Sequence, residues 1–446
     1  MGATGQTARA PVKKIGAFSA TMMVVSMMIG SGVYLLPAGL AAIGSISLLG
    51  WIAAVIGAAM LAGVFSLLTI MKPGRPGLFS YVGDALGPAA GFISAMLYWF
   101  ALWIGGVAVA LAVAGYLSAF LPAVAKPPGL TAITIIVIWL LIGVNLVGAR
   151  FVARLQPAFL AVGLAPILIV AIFGWYHFQP DIFAASWNVT GGNFVQVVSR
   201  SVVIVFWAFL GIECAIVLSR LVRNPARDVP IASLSGLAIA AAIYILANTV
   251  IMGILPAAVL VKSNAPFADA VVPLLGASFA AAVAMCAVVK ASGTLSVVIL
   301  GSIATAKSPS MLGSTRNSFD EQPDSAVSRP GLIFTGVLMS LVAAASASPT
   351  LARQFTIVAN VTVVTFMYVY VAACIALLRM SSAAPRGMRV VARTLAIGAM
   401  LFCIALIASS EADLLIWSAA TIVIAVLVYV PVRLLRVRAL KMGSGA

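Results

Sequence analysis

The sequence predicts an all-α membrane protein of twelve transmembrane helices. They form two inverted repeats of five with two helices appended, and helices 1 and 6 are broken. Three observations predict it. Of the 446 residues 63% are hydrophobic and only 8% charged, with a mean hydropathy of +1.18. A soluble domain carries roughly 25% charged residues, which excludes a soluble fold. Lysine and arginine recur on alternate connections between long apolar runs. Finally, glycine-rich interruptions lie inside two of these runs, Ile29-Gly30-Ser31-Gly32 and Leu210-Gly211-Ile212-Glu213. A spanning helix must satisfy its backbone internally, so such breaks survive at bilayer depth only against protein or a polar cavity. Paired breaks in corresponding segments of two halves point to a binding site for a small polar molecule in transit.

The elements follow in order. Residues 1–14 form a tail ending in Lys13 and Lys14. No charge occurs from Ile15 to Met71, long enough for two spans at roughly 20 residues each, placed at 15–39 and 46–70. The first has the basic start of a signal peptide but is too long, and no small-residue cleavage site leads into a soluble domain. Spans 3 to 5 are placed at 86–120, 128–147 and 155–176, closing a first repeat over 15–176. The connection from Phe178 to Phe194 carries Pro180, Asp181, Trp187 and Asn188, and its aromatics suit an interfacial belt. The second repeat covers 197–379, with spans at 197–220, 230–254, 274–305, 330–348 and 355–379. Within it, Lys307 to Arg329 is rich in Ser, Asn, Asp, Glu and Pro and reads as a mobile loop. The core is thus 15–379; helices 11 and 12 occupy 390–410 and 413–436, and 437–446 is a tail.

Orientation follows from the basic residues. One side receives Lys13, Lys14, Lys72, Arg75, Arg150, Arg154, Arg220, Arg223, Arg227 and most of the later arginines. The other receives only Lys126, Arg200, Lys262 and Arg353. The basic side is expected in the cytoplasm, with both termini. The net charge of +16 lies in these short connections, which argues against nucleic acid as a partner. Cys214, Cys286, Cys374 and Cys403 have no metal-like spacing, and His177 is the only histidine. The sequence holds no Gly-x-x-x-x-Gly-Lys-Ser/Thr loop. Neither a metal, a cofactor nor enzymatic hydrolysis is expected, so transport energy must come from gradients.

Four kinds of residue could carry chemistry. Around Gly30-Ser31-Gly32 the missing Cβ atoms let a helix unwind and a ligand approach the backbone. Freed amides at the next half-helix suit a carboxylate, and freed carbonyls at the preceding one suit an ammonium group. Together they describe an α-amino acid, against the alternative of a small-residue packing face. Glu213 is the only acidic residue in the interior of a span. A carboxyl at that depth costs several kcal/mol on order-of-magnitude scales unless paired, solvated or protonated. It would couple proton uptake to opening, or lock helix 6 to a neighbour. Lys290 is the only basic residue in a span core. It would stand in for a bound cation, pair with Glu213, attract an anionic group, or snorkel outward. Trp207, Tyr98, Trp99, Trp103, Tyr368 and Tyr370 are aromatic gate candidates, while Asn360 and Thr362 could face a cavity.

These residues carry a resemblance. The run Met27-Met28-Ile29-Gly30-Ser31-Gly32-Val33-Tyr34-Leu35-Leu36-Pro37-Ala38 resembles the first helix of the basic amino acid/polyamine antiporters of the amino acid–polyamine–organocation superfamily. Leu97-Tyr98-Trp99, Phe173-Gly174-Trp175, Trp207-Ala208-Phe209-Leu210-Gly211-Ile212-Glu213 and Arg223-Asn224-Pro225-Ala226-Arg227 extend it over nearly the whole chain. The chain resembles the arginine/agmatine antiporters most, with the putrescine/ornithine antiporters also similar. The resemblance implies a leucine-transporter-like fold in a bacterial inner membrane, usually dimeric, exchanging an amino acid for its decarboxylated amine. It implies that Met28, Ser31 and Gly32 hold the α-amino and carboxyl ends. Ala101, Leu102, Gly106 and Thr362 would line the side-chain pocket, Trp207 and Leu210 would cover the substrate, Glu213 would couple protons, and Tyr98 and Tyr370 would gate.

The chain departs from that pattern at four places. Val298 stands where a tryptophan would stack on a guanidinium, and Gly106 where an asparagine would reach the substrate. The two lost contacts are worth about 0.5–2 kcal/mol each. Lys290 adds a charge that would repel a cationic side chain, and Ser308 to Ser328 replaces the usual loop. An alternating-access exchanger remains the expectation, with a neutral or acidic amino acid as the alternative substrate. A non-transporting amino acid sensor is the alternative function.

Overall fold

A computed structural model describes residues 14–30, 32–75, 77–126, 128–217, 219, 222–312 and 328–443. Ser31 lies outside the described residues, as do most of the N-terminal tail, 313–327 of the expected loop, and the last three residues. Among the described residues the chain is helical, and its one extended pairing is a parallel bridge of Ile15 with Val222.

The first run folds as two helices, α1 (Ala17–Met28) and α2 (Gly32–Ala41), bent by 43°. Then come α3 (Ser47–Met71), a short α4 (Leu78–Leu86), α5 (Pro88–Ser118), α6 (Gly129–Val147) and α7 (Ala149–Phe173). The second half follows. It has α8 (Phe194–Phe206), α9 (Cys214–Val217), α10 (Pro225–Ile254), a short α11 (Pro266–Leu275), α12 (Ala277–Ala306), α13 (Arg329–Ala345) and α14 (Leu351–Met380). α15 (Arg386–Ala408) and α16 (Ala412–Gly443) complete the chain. Among the described residues ten helices are long and apolar enough to cross a bilayer, and the bent α1–α2 pair makes an eleventh. α13, at 17 residues, is shorter.

Two short helices were not expected from the sequence. α4 has 9 residues and meets the 31-residue α5 at Gly87, φ +101°. α11 has 10 residues and meets the 30-residue α12 at Gly276, φ +85°. Both are too short to span, so hydropathy does not reveal them. The left-handed glycine lets the chain turn sharply into the long helix without a Cβ clash.

α5 runs through the centre, packed against α12 and α14, and is buried nearly throughout. α15 and α16 expose Leu401, Ile404, Ile416 and Leu427, as helices facing lipid do. One end of the bundle is basic. There Lys72 and Arg75 reach Asp84 at 2.7 and 3.0 Å, Arg379 donates to the Ala85 carbonyl, and Arg223 donates to the Lys14 carbonyl. At the opposite end Arg200 lies 4.0 Å from Glu411.

Candidate functional site

The two breaks touch. α1 ends at Met28, Ile29 leaves helical geometry (φ −75°, ψ 67°), and the Gly30 amide donates to the Met28 carbonyl at 2.7 Å. In the second run, α8 tightens into a 3₁₀ turn at Trp207–Phe209 and Leu210 becomes extended. Gly211 then turns left-handed, φ +103°. A Cβ at Gly211 would sit 3.3 Å from the Met27 carbonyl carbon. Glycine is needed there twice, for the backbone angle and for the approach of the other break.

Glu213 follows at once and is 3% exposed. Its Oε2 accepts from the Tyr370 hydroxyl at 2.7 Å and the Gly211 amide at 3.1 Å; Oε1 accepts from the Tyr98 hydroxyl at 3.4 Å. An ionised carboxylate is acceptor-only and suits three donors. Adding a proton turns one oxygen into a donor, which a tyrosine hydroxyl can accept only by reversing the direction of its own bond. The carboxyl therefore ties the start of α9 to α5 and α14.

Lys290 does not pair with Glu213, and it does not snorkel. It is 1% exposed, and its Nζ donates to the Ser26 carbonyl at 3.0 Å. That carbonyl would normally accept from Gly30, whose amide has turned to Met28. The ammonium group thus satisfies an acceptor freed at the negative end of a half-helix. Room for its stem comes from α7, where a Cβ at Gly163 would overlap Lys290.

A cavity of about 560 Å³ opens where the breaks meet. Ten of the residues expected from the sequence line it: Met28, Gly32, Tyr98, Ala101, Leu102, Trp207, Leu210, Glu213, Val298 and Thr362. Tyr370 and Lys290 stand behind the wall, reached through Glu213 and Ser26. Gly106 is outside the lining, and a Cβ there would meet Met339 and Leu295, which are outside it too. Its neighbour Gly105 takes the place in the lining, with Thr362 and the Trp207 ring against it. Sequence reasoning also missed Thr294 and Gly301, both in the lining. Thr294 lies one turn beyond Lys290 and bonds back to its carbonyl, so the 3.6-residue period held the signal.

The cavity reaches toward the basic end, where Gly77, Phe79, Val152, Gln156 and Thr305 border it. Toward the other end Trp207 closes it. The indole lies over Gly32, where a Cβ would overlap it, and meets Phe355 edge to face at 5.9 Å.

Two broken helices meeting over one cavity agree with the sequence match, in which the amino acid permease family profile covers residues 15–432. The chain belongs to the amino acid permease family. Among permease relatives, it is 39% identical over 264 residues to the cadaverine/lysine antiporter of Escherichia coli (strain K12). That match covers 59% of this chain, and the chain spans 59% of the antiporter's length. It is 30% identical over 416 residues to the putrescine transporter PotE of the same strain, covering 93% of this chain and 95% of that protein. The putrescine transporter PotE of Haemophilus influenzae is 29% identical over 413 residues, covering 92% and 95%. The chain is thus a multi-pass membrane protein whose relatives are named as transporters and antiporters.

Proposed function

We propose that this permease is a secondary active transporter that exchanges an amino acid for another amino acid or for a decarboxylated amine by alternating access. The contact of Gly211 with Met27 over a shared cavity carries the reading. Half-helix termini from both breaks converge there, which suits the two ends of a zwitterion. The architecture is twelve spans, with α13 as the shorter ninth, in a leucine-transporter-like 5+5 inverted repeat. The parallel of α4–Gly87–α5 with α11–Gly276–α12 supports it, because nothing in hydropathy alone asks for a short helix and a left-handed glycine at the same place in both halves. With the basic end in the cytoplasm of a bacterial inner membrane, the cavity faces inward and Trp207 closes the outer path.

Met28, Ser31 and Gly32 hold the substrate's backbone ends, Trp207 and Leu210 cover it, and Glu213 with Tyr98 and Tyr370 links proton binding to gating. Lys290 occupies the carbonyl that a coupling cation would otherwise use. Arginine/agmatine-type exchange is the antiport of this kind implied by resemblance; the relatives' names add lysine with cadaverine, and putrescine. A neutral amino acid is the second reading, favoured by the lining. Ala101, Leu102, Gly105, Val298 and Gly301 offer no counter-charge, and both Glu213 oxygens are already engaged. Counterflow in proteoliposomes, screened across amino acids and amines at two pH values, tests both. Exchange that needs internal substrate is expected; no flux with any compound would defeat the proposal.

A further inference from the structure

α3 and α10 pack against each other in opposite directions. Away from the basic end they are tied by the Ser47 hydroxyl, which donates to the Met252 sulfur at 3.7 Å. One turn further in, Trp51 on α3 and Asn248 on α10 come to the same level, and the next turn of α10 carries Tyr244. The Trp51 and Tyr244 rings lie 5.5 Å apart between centroids. Phe209, the last residue of the 3₁₀ turn before the second break, meets them at 5.8 and 6.0 Å. None of these four residues lines the central cavity.

Trp51, Tyr244 and Asn248 are each at most 1% exposed. Each also has a polar atom without a hydrogen-bond partner: the Trp51 indole nitrogen, the Tyr244 hydroxyl and the Asn248 Oδ1. The Asn248 amide nitrogen is engaged within its own helix, donating to the Tyr244 carbonyl at 3.0 Å. Buried polar atoms are paired in the great majority of cases, so three orphans in one seam ask for a common partner. Their kinds are complementary. The indole only donates, the amide oxygen only accepts, and the hydroxyl does either.

We infer that the seam between α3 and α10 is a binding site for a buried water molecule, held by Trp51, Tyr244 and Asn248. The water accepts from the indole, donates to the Asn248 oxygen and shares a third bond with the Tyr244 hydroxyl. Buried waters typically make about three such bonds. A cation does not suit the site, because the indole N–H would point its positive end at it. An anion does not suit it either, because the amide oxygen would repel it. The partner must both give and take hydrogen bonds. Bound there, it joins α3 to α10 beside Phe209 and so backs the second break from outside the cavity lining. The site does not depend on which substrate the cavity takes.

Hydroxyl-radical footprinting of the full chain in lipid nanodiscs tests this. X-ray pulses generate radicals from bound water in place, and these oxidise the side chains beside it, which mass spectrometry then locates. Tyr34 and Tyr116 serve as controls. Both are as buried as Tyr244, but their hydroxyls already donate to the Gly163 and Tyr34 carbonyls. Tyr244 should be oxidised at least fivefold faster than either control. Asn248→Leu and, separately, Trp51→Phe each remove one partner of the water and should bring Tyr244 down to the control rate, with circular dichroism confirming helical content. A Tyr244 rate equal to the controls in the wild type overturns the site, and this comparison decides alone if a variant fails to fold. A fast Tyr244 rate that neither variant lowers also overturns it, because the radicals then come from elsewhere.

Discussion

At the residue scale, three groups decide the behaviour of the central site. Glu213 is held by three donors that tie the start of α9 to α5 and α14, which is where the proposed proton coupling would act. Glu213→Gln keeps the shape but cannot gain or lose a proton. Its uptake should vary little with pH, while the wild type varies; a variant that keeps the wild-type pH profile would remove the coupling role. Gly211 sits at φ +103° against Met27. An alanine there costs about 1–2 kcal/mol in backbone strain before the crowding is counted. Gly211→Ala should lose transport and lower the melting temperature of the purified protein. Lys290→Met keeps the packed stem against Gly163 but frees the Ser26 carbonyl. Its exchange rate should drop at least tenfold, with a smaller proportional change in thermal stability. Lys290 also marks a limit of sequence reading: its position on a span was legible, but its partner lies 264 residues away.

At the element scale, the broken helices frame the central cavity. Trp207 closes the central cavity because Gly32 and Gly105 leave room for its ring. Trp207→Ala should open that side and convert tight exchange into uptake that no longer needs internal substrate, as read in proteoliposomes. α4 is tied by Lys72 and Arg75 to Asp84, all part-exposed. Such surface pairs contribute about 0–1 kcal/mol, so Asp84→Asn should barely change stability. The helix is anchored elsewhere. Tyr81, outside the spans, is buried, and its hydroxyl donates to the Lys72 carbonyl. Burial pushes Tyr81 up to about 12 from an ordinary 10. A group raised in this way contributes stability that is complete below pH 10 and is lost as pH climbs toward 12. This anchor is therefore constant across physiological pH. The breaks themselves were readable from glycine runs, but α4 and α11 were not, because neither is long enough to register as a span. The shift from Gly106 to Gly105 is of the same kind. One residue rotates a helix face by about 100°, and hydropathy on an all-apolar helix cannot fix that rotation.

At the scale of the whole molecule, a second cavity of about 1050 Å³ lies at the end away from the basic connections and shares no lining residue with the central one. A cysteine at Ala153, on the rim of the central cavity, should react with a polar maleimide applied from the basic side. A cysteine at Ser346, on the rim of the second cavity, should react only from the other side. Both reacting from one side would place the cavities wrongly with respect to the bilayer. The sequence by itself determined that the chain is a helical membrane protein, which end is basic, and that two spans break at glycine. These follow from composition and local backbone chemistry, to which every residue contributes without reference to distant ones. Tertiary structure alone decided that the breaks touch, that Lys290 serves Ser26 and not Glu213, and that Gly105 faces the cavity. It also decided that a second charged cavity exists at the far end. Each of these depends on how helices far apart in the chain are rotated and packed against one another, and packing of uniformly apolar faces leaves no periodic trace in the sequence.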